Sequence, residues 1–256
     1  MSKFISHDDL ENLAIDIKDC LSELPTLNHS WLKYKDSNDA VTDLDIYLQS
    51  TIMSLIGILD PGVLCISEES NMDSIEEQVC WIIDPLDGTS NLIQGLRPSA
   101  ISLAKVSGKE VLAALVIDLS NLDVYSAVKA GGARFNSNKI EVVNAGIRLI
   151  GMSTGYLRRG GVIPQEWNAR ILGSQALQLC LVALGTLSST ISFEAKAWDD
   201  VAGSLIVEES GGTYQHAYSN QSWLELAVSQ KSLRSRAIVK SLGGANRIMI
   251  LELVNE

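Results

Sequence analysis

The chain has 256 residues, enough for one large domain or two intimate halves. No stretch approaches the roughly 20 uninterrupted apolar residues of a membrane span, and Met1 to Asp9 lacks the apolar core of a signal peptide, so a soluble cytoplasmic protein with no membrane partner is expected. A net charge of −11 argues against the basic stripe of a nucleic-acid surface and suits a protein that collects divalent cations.

In chain order, Leu10, Leu13, Ala14, Ile17, Cys20, Leu21 and Leu24 recur at helical spacing over residues 8–24. A second amphipathic helix is predicted from near Thr42 to Leu59, stopped by Asp60-Pro61-Gly62. Short strands follow at Val63 to Ser67 and Gln78 to Asp84, on either side of an acidic loop. Strands are predicted at Ala100 to Val106, Val111 to Ile117 and Val124 to Ala127. Ala130-Gly131-Gly132-Ala133 breaks that pattern before a strand at Ile140 to Val143. This half reads as an antiparallel meander covered by the two opening helices.

The second half interleaves its elements. A strand at Leu149 to Ser153 leads into a Gly/Arg-rich loop, Tyr156 to Gln165. A helix at Gln175 to Leu184, a strand to about Glu194 and a helix at Asp199 to Ser210 come next. The pattern closes with a strand at Ala237 to Val239 and a helix from about Gly244. The fold class is α/β in a mixed α+β arrangement, a single domain over 1–256 with subdomains of about 1–145 and 146–256.

Chemistry is concentrated at Trp81-Ile82-Ile83-Asp84-Pro85-Leu86-Asp87-Gly88-Thr89-Ser90-Asn91, where an apolar run ends on two carboxylates, a glycine and a hydroxyl. The strand fixes whatever follows it. Asp84 and Asp87 offer hard oxygen ligands, Pro85 locks the chain between them, and Gly88 lets backbone N–H groups approach an anion closely. Two further acidic segments, Ser67-Glu68-Glu69-Ser70 and Trp198-Asp199-Asp200-Val201-Ala202-Gly203, also stand at element ends. Taken singly each has a plain reading: a solvated Glu pair, a turn cap, an N-cap at Asp199. Together they supply four carboxylates from three element ends, the usual makeup of a two-metal phosphate site. Cys20, Cys65, Cys80 and Cys180 show no C-x-x-C spacing and read as reduced thiols rather than a zinc site. His7, His29 and His216 adjoin no motif.

These three segments, with Glu209-Ser210-Gly211-Gly212 closing the last, resemble the signature segments of the inositol monophosphatase family of lithium-sensitive, magnesium-dependent sugar phosphatases. Weaker matches at Asp39-x-Val41-Thr42-x-x-Asp45, Ala130 to Ala133, and Gly173-Ser174-x-Ala176-Leu177 with Val182-Ala183-x-Gly185 extend the resemblance over nearly the whole chain. It implies a layered α-β-α-β-α sandwich, commonly homodimeric, of the type shared with fructose-1,6-bisphosphatases. It further implies that Glu68, Asp84 and the Leu86 carbonyl bind a first Mg²⁺, and that Asp84, Asp87 and Asp199 hold a second, for two or three ions in all. Thr89, hydrogen-bonded to Asp45, would orient and help deprotonate the attacking water with Glu68. The N–H groups of Gly88 and Thr89 would cradle the phosphate, and Asp87 would stand beside it. The implied substrate is a small phosphorylated metabolite, inositol 1-phosphate first. Nucleoside 3′(2′),5′-bisphosphate, fructose 1,6-bisphosphate and histidinol phosphate are the alternatives, and a non-catalytic regulatory protein is the least favoured reading.

The substrate-selecting region departs from the pattern. Relatives place an acid seven positions before the Trp-Asp aspartate; here that position is Ser192, with Glu194 two residues later. Either the register slips, making Glu194 the substrate contact, or a different hydroxyl pattern is read. Gly173 and Ser174 match the leaving-group region, but Gln175 replaces its usual small residue, and Ser67 stands where relatives favour glycine. The loop Arg158-Arg159-Gly160-Gly161 offers charge to an anionic substrate or a partner subunit, or is simply solvated.

Overall fold

A capping box opens the first helix of the computed structural model. Asp9 N–H donates to Ser6 Oγ (3.2 Å) while Ser6 N–H donates to the Asp9 carboxylate (2.9 Å). Helix α1 (His7–Ser22) therefore starts in register to bury Leu10, Leu13, Ala14 and Ile17. The structure describes residues 3–24, 32–36, 39–68, 79–141, 147–163, 165–230 and 232–239. After a two-stranded ribbon, β1 (Leu32–Asp36) and β2 (Asp39–Thr42), comes α2 (Asp43–Leu59).

Seven strands build the first sheet: β3 (Leu64–Ser67), β4 (Val79–Asp87), β5 (Ala100–Ser107), β6 (Glu110–Asp118), β7 (Val124–Val128), β8 (Gly132–Phe135) and β9 (Asn138–Ile140). They lie side by side in chain order. β3 and β4 are parallel, and every other neighbouring pair is antiparallel. A short helix α3 (Thr89–Ile93) follows β4 directly.

The second sheet has the order β11-β10-β12-β14-β13, from β10 (Leu149–Met152), β11 (Asn168–Arg170), β12 (Ser189–Ala195), β13 (Thr213–His216) and β14 (Leu233–Ile238). Its helices are α4 (Thr154–Arg158), α5 (Gln175–Ala183), α6 (Ala197–Glu209) and α7 (Trp223–Ser229).

Alternation along β4 assigns the layers. Trp81 and Ile83 pack with Leu13, Ile17, Leu48 and Ile52 of α1 and α2. Cys80 and Ile82 face the other way, into the core that α5 and α6 fill between the two sheets. On the second sheet, α4 sets Tyr156 edge-on against Phe193 of β12 (centroids 5.1 Å). The predicted α-β-α-β-α layering is what the chain adopts. Under α1, the fully buried Lys105 ammonium pairs with the Asp60 carboxylate, which also accepts from Trp81 Nε1 (3.2 Å).

Several local predictions needed correction. Gly132 and Ala133 begin β8 rather than break the sheet, because Gly132 turns at φ 83 and the chain then pairs back on β7. The next described strand is Asn138–Ile140, which ends before Glu141; the rest of the strand predicted at 140–143 falls within residues 142–146, which lie outside the described residues. The Tyr156–Gln165 loop is partly helical, since Ser153 Oγ caps α4 by accepting from Tyr156 N–H (3.1 Å). The last strand starts at Leu233. Strands β11 and β13 and helix α7 are additional. The acidic loop 71–77, the predicted C-terminal helix and the side chains of Asp39, Val41 and Thr42 lie outside the described residues.

Candidate metal centre

Because β3 and β4 are parallel, both deliver their C-terminal ends to one edge of the sheet. Glu68 stands one residue beyond β3, its N–H donating to the Ile83 carbonyl (3.2 Å). In a regular strand, residues three apart face opposite sides. The register between β4 and β5 slips between Asp84 and Asp87, so three steps on β4 match two on β5. This bulge at Pro85-Leu86 turns both carboxylates toward the middle layer.

The third carboxylate arrives from α6. That helix starts at Ala197, earlier than Asp199 acting as an N-cap would require. Asp199 is instead the N3 residue and accepts from Lys196 N–H (2.7 Å). Carboxylate oxygens of Asp84, Asp87 and Asp199 lie within 4.8 Å of one another. Glu68 is not one of that trio, yet its charge is near enough to raise both Asp84 and Asp199.

Three acids this close, two of them buried and Asp199 half-buried, resist ionisation. Burial first, then the charges of Glu68, Asp87 and Asp199, holds the Asp84 carboxyl well above the carboxylate range. Asp199 is raised well above that range by burial, then by Asp87 and Glu68. Asp87 is pushed up to about 6 by burial, even though hydrogen bonds from Ser174, Ala176 and Gln175 favour its charge. Such a group is at ease as anions only around a cation. The donors are oxygen alone, which fits Mg²⁺ or Ca²⁺ and not zinc or copper.

Around the trio, Thr89 Oγ1 lies 2.9 Å from the Leu86 carbonyl and 3.3 Å from Asp45 Oδ1, and Asp45 is buried in the first turn of α2. Leu86 N–H donates to Asp84 Oδ1 (2.9 Å). Gly88 turns at φ 91 to open α3, and a Cβ there would sit 3.1 Å from the Pro98 oxygen and 3.2 Å from the Gly173 oxygen. Ser174, predicted to meet substrate, is fully buried and donates to Asp87 Oδ2 (2.7 Å), as does Ala176 N–H (2.7 Å). It holds a carboxylate in place.

Beside the trio opens a cleft of about 160 Å³, lined by Asp87, Asp199, Gly173, Gln175, Gln178 and Glu194 among others. β12 bulges between Ser192 and Ala195; Ser192 is buried and Glu194 exposed, and both residues line the cleft. Glu194 folds over Gly155, where a Cβ would overlap its carboxylate. Sequence reasoning gave no role to Asp200 or Gln178. A second acid directly after Asp199, in an otherwise apolar helix, was the available signal.

Solved structures share this architecture: an IMPase from Thermotoga maritima (24% identity, TM-score 0.73, 97% of this chain and 94% of that one). An IMPase/NADP phosphatase solved with Mg²⁺ and phosphate is similar (20% identity, TM-score 0.71, 96% and 92%). In sequence, the inositol monophosphatase family model matches residues 12–255. The chain is 33% identical over 196 residues to Nus factor SuhB of Pasteurella multocida (70% of this chain, 72% of the relative). It is 30% identical over 191 residues to inositol-1-monophosphatase of Bacillus subtilis (69% and 72%). The chain belongs to the inositol monophosphatase family, a family of phosphatases.

Proposed function

We propose that this protein is a magnesium-dependent phosphomonoesterase for a small polyol or sugar phosphate, with inositol 1-phosphate the first candidate. The observation that carries the reading is the close trio Asp84, Asp87 and Asp199, brought together from β4 and α6. Asp84, Asp87, Asp199, Glu68 and the Leu86 carbonyl would hold two or three ions. Bound magnesium supplies positive charge that offsets the phosphate dianion and makes water a better nucleophile.

The chain's own groups do the rest. Thr89 has one proton to give and two acceptors within reach, Leu86 O and Asp45 Oδ1. Its lone pairs are then free to take a proton from an attacking water as its own passes to Asp45, with Glu68 the second acceptor nearby. Gly88 and Thr89 stand at the opening of α3, where first-turn N–H groups lack intrahelical acceptors and suit phosphate oxygens. Asp87, fixed by Ser174 and Ala176, cannot swing away from the reacting group. Gly173 and Glu194 would meet the leaving alcohol across the cleft.

A cytoplasmic location and a homodimer belong to the same reading, as does a division into halves of about 1–145 and 146–256. The second reading is a Nus-factor role, favoured by the names of several relatives. Phosphate release from a panel of monoesters with Mg²⁺, with and without lithium, tests the first. Magnesium-dependent, lithium-sensitive release is expected. No release from any monoester would leave the Nus-factor reading standing.

A further inference from the structure

Asp84 and Asp87 share β4, so the strand itself fixes their spacing. Asp199 comes from another element, and its distance from the other two depends on where α6 is docked. Two ties set that docking. Ser102, the cross-strand neighbour of Asp84 on β5, donates to the Trp198 carbonyl (3.0 Å) and holds the first turn of α6 to the sheet. On the Asp87 side the tie runs through α5. Ser174 Oγ and Ala176 N–H both donate to Asp87 Oδ2 (2.7 Å each). Gln175, between them, sends its Nε2 to Asp200 Oδ1 on α6 (2.8 Å).

Close packing brings the two helices within reach of each other. They run side by side in the same direction: Gln175 meets Asp200, and one turn on Leu179 meets Gly203, where a Cβ would lie 2.5 Å from the Leu179 Cβ. A larger residue at 203 would hold the axes apart and leave Gln175 short of its partner. The tie is stiff because each of its groups is bonded at both ends. Gln175 Oε1 accepts from Gln178 Nε2 (2.8 Å), and Asp200 Oδ2 accepts from Tyr214 OH on β13 (2.9 Å). All four side chains are buried, so water does not compete. Packing alone gives no reason for this pair. A carboxylate buried in a helix as apolar as α6 is costly unless it is bonded, and apolar partners of the same shape would serve the fold as well. Gln175 also stands where a small residue is usual, and no small side chain could reach Asp200.

We propose that Gln175 and Asp200 are positioning residues for the metal centre: their hydrogen bond fixes Asp199 on α6 against Asp87 on the α5 side, and so sets how tightly the pair grips a cation. Magnesium accepts little error in its ligand shell, with oxygens at about 2.1 Å in a near-octahedral array. Groups that orient metal ligands commonly govern affinity about 10–100-fold. The inference rests on reading the trio as a magnesium site, and it adds two residues that act through Asp87 and Asp199.

The test is the dissociation constant for Mg²⁺ by titration calorimetry, with stability to urea in EDTA measured on the same proteins. Gln175→Met keeps the volume and the net charge and removes the tie. Tyr214→Phe removes the other hydrogen bond to Asp200 and leaves the tie in place. Gln175→Met should weaken Mg²⁺ binding about tenfold or more, while Tyr214→Phe should stay within about twofold of the wild type although it too loses a buried hydrogen bond. A purely structural role would make affinity follow stability in both variants. Should Gln175→Met not fold, Gln175→Ala, with the small residue usual at that position, is read in the same way. Wild-type affinity in the Gln175 variant, or an equal loss in Tyr214→Phe, overturns the inference. A wild type that binds Mg²⁺ but hydrolyses no monoester overturns the phosphatase reading and leaves the affinity comparison to decide this one. A wild type that binds no Mg²⁺ overturns both.

Discussion

Asp87→Asn removes one charge from the trio with almost no change of shape. Ser174 Oγ and Ala176 N–H both donate to the same oxygen, Oδ2, so an asparagine that places its carbonyl there keeps both hydrogen bonds. Its NH₂ then faces Asp84 and Asp199 as a donor. A carboxyl whose titration moves from 3.8 to about 6 on folding is less stable ionised in the native state. At about 1.4 kcal/mol for each tenfold change in proton affinity, that is about 3 kcal/mol. The native carboxyl holds its proton more tightly, so the wild type has its full stability below 3.8, loses it as pH rises toward 6, and stays low above. Asparagine does not titrate and escapes that loss.

In EDTA at pH 7.5 the variant should therefore be more stable by about 3 kcal/mol, or about 6–12 °C in Tm for a chain of this size. At pH 3.5 the difference should vanish. Phosphatase activity should be lost at either pH. Thermal melts and urea titrations of both proteins at the two pH values decide it. A variant less stable than the wild type at pH 7.5, or a gain independent of pH, would refute the argument that burial and crowding of Asp87 cost the fold.

Magnesium binding should release protons at neutral pH, since raised carboxyls must ionise to ligate. Affinity should accordingly rise with pH through about 6, where Asp87 titrates, and calorimetry in buffers of different ionisation enthalpy measures both effects. Lys105→Met strands the buried Asp60 carboxylate and should cost about 3–5 kcal/mol by urea denaturation, and removing both charges should restore much of it. Gly173→Ala adds a methyl 2.6 Å from Asn91 Nδ2 at φ 79; Asn91 is tied to the Pro98 and Leu172 carbonyls. A loss of about 2 kcal/mol or more is expected from the backbone alone, seen as a lower urea midpoint.

The trio was legible because two of its members share eleven residues with the strand that presents them, and the third follows a tryptophan at a helix start. What one-dimensional reading could not supply was direction. Nothing local says that β4 bulges at Pro85-Leu86, or that β12 bulges between Ser192 and Ala195; both depend on the neighbouring strand. Ser174 read as a leaving-group contact because its partner, Asp87, is far away in the chain. Helix α7 is a different kind of miss. Ser222 and Glu225 form a capping box, a signal present in the sequence and passed over. Gly131-Gly132 misled because glycine pairs commonly end strands, whereas here the positive φ of Gly132 begins one.

The strand order bears on how the protein assembles in time. In the first sheet every neighbour in space is the neighbour in sequence, so its pairings close short loops and can form early. The second sheet brings β10 beside β12 in parallel and inserts β14 between β12 and β13, pairings that close longer loops and arrive more slowly. Loop lengths alone therefore lead us to expect the strand that carries Asp84 and Asp87 to pair before Asp199 joins them from α6.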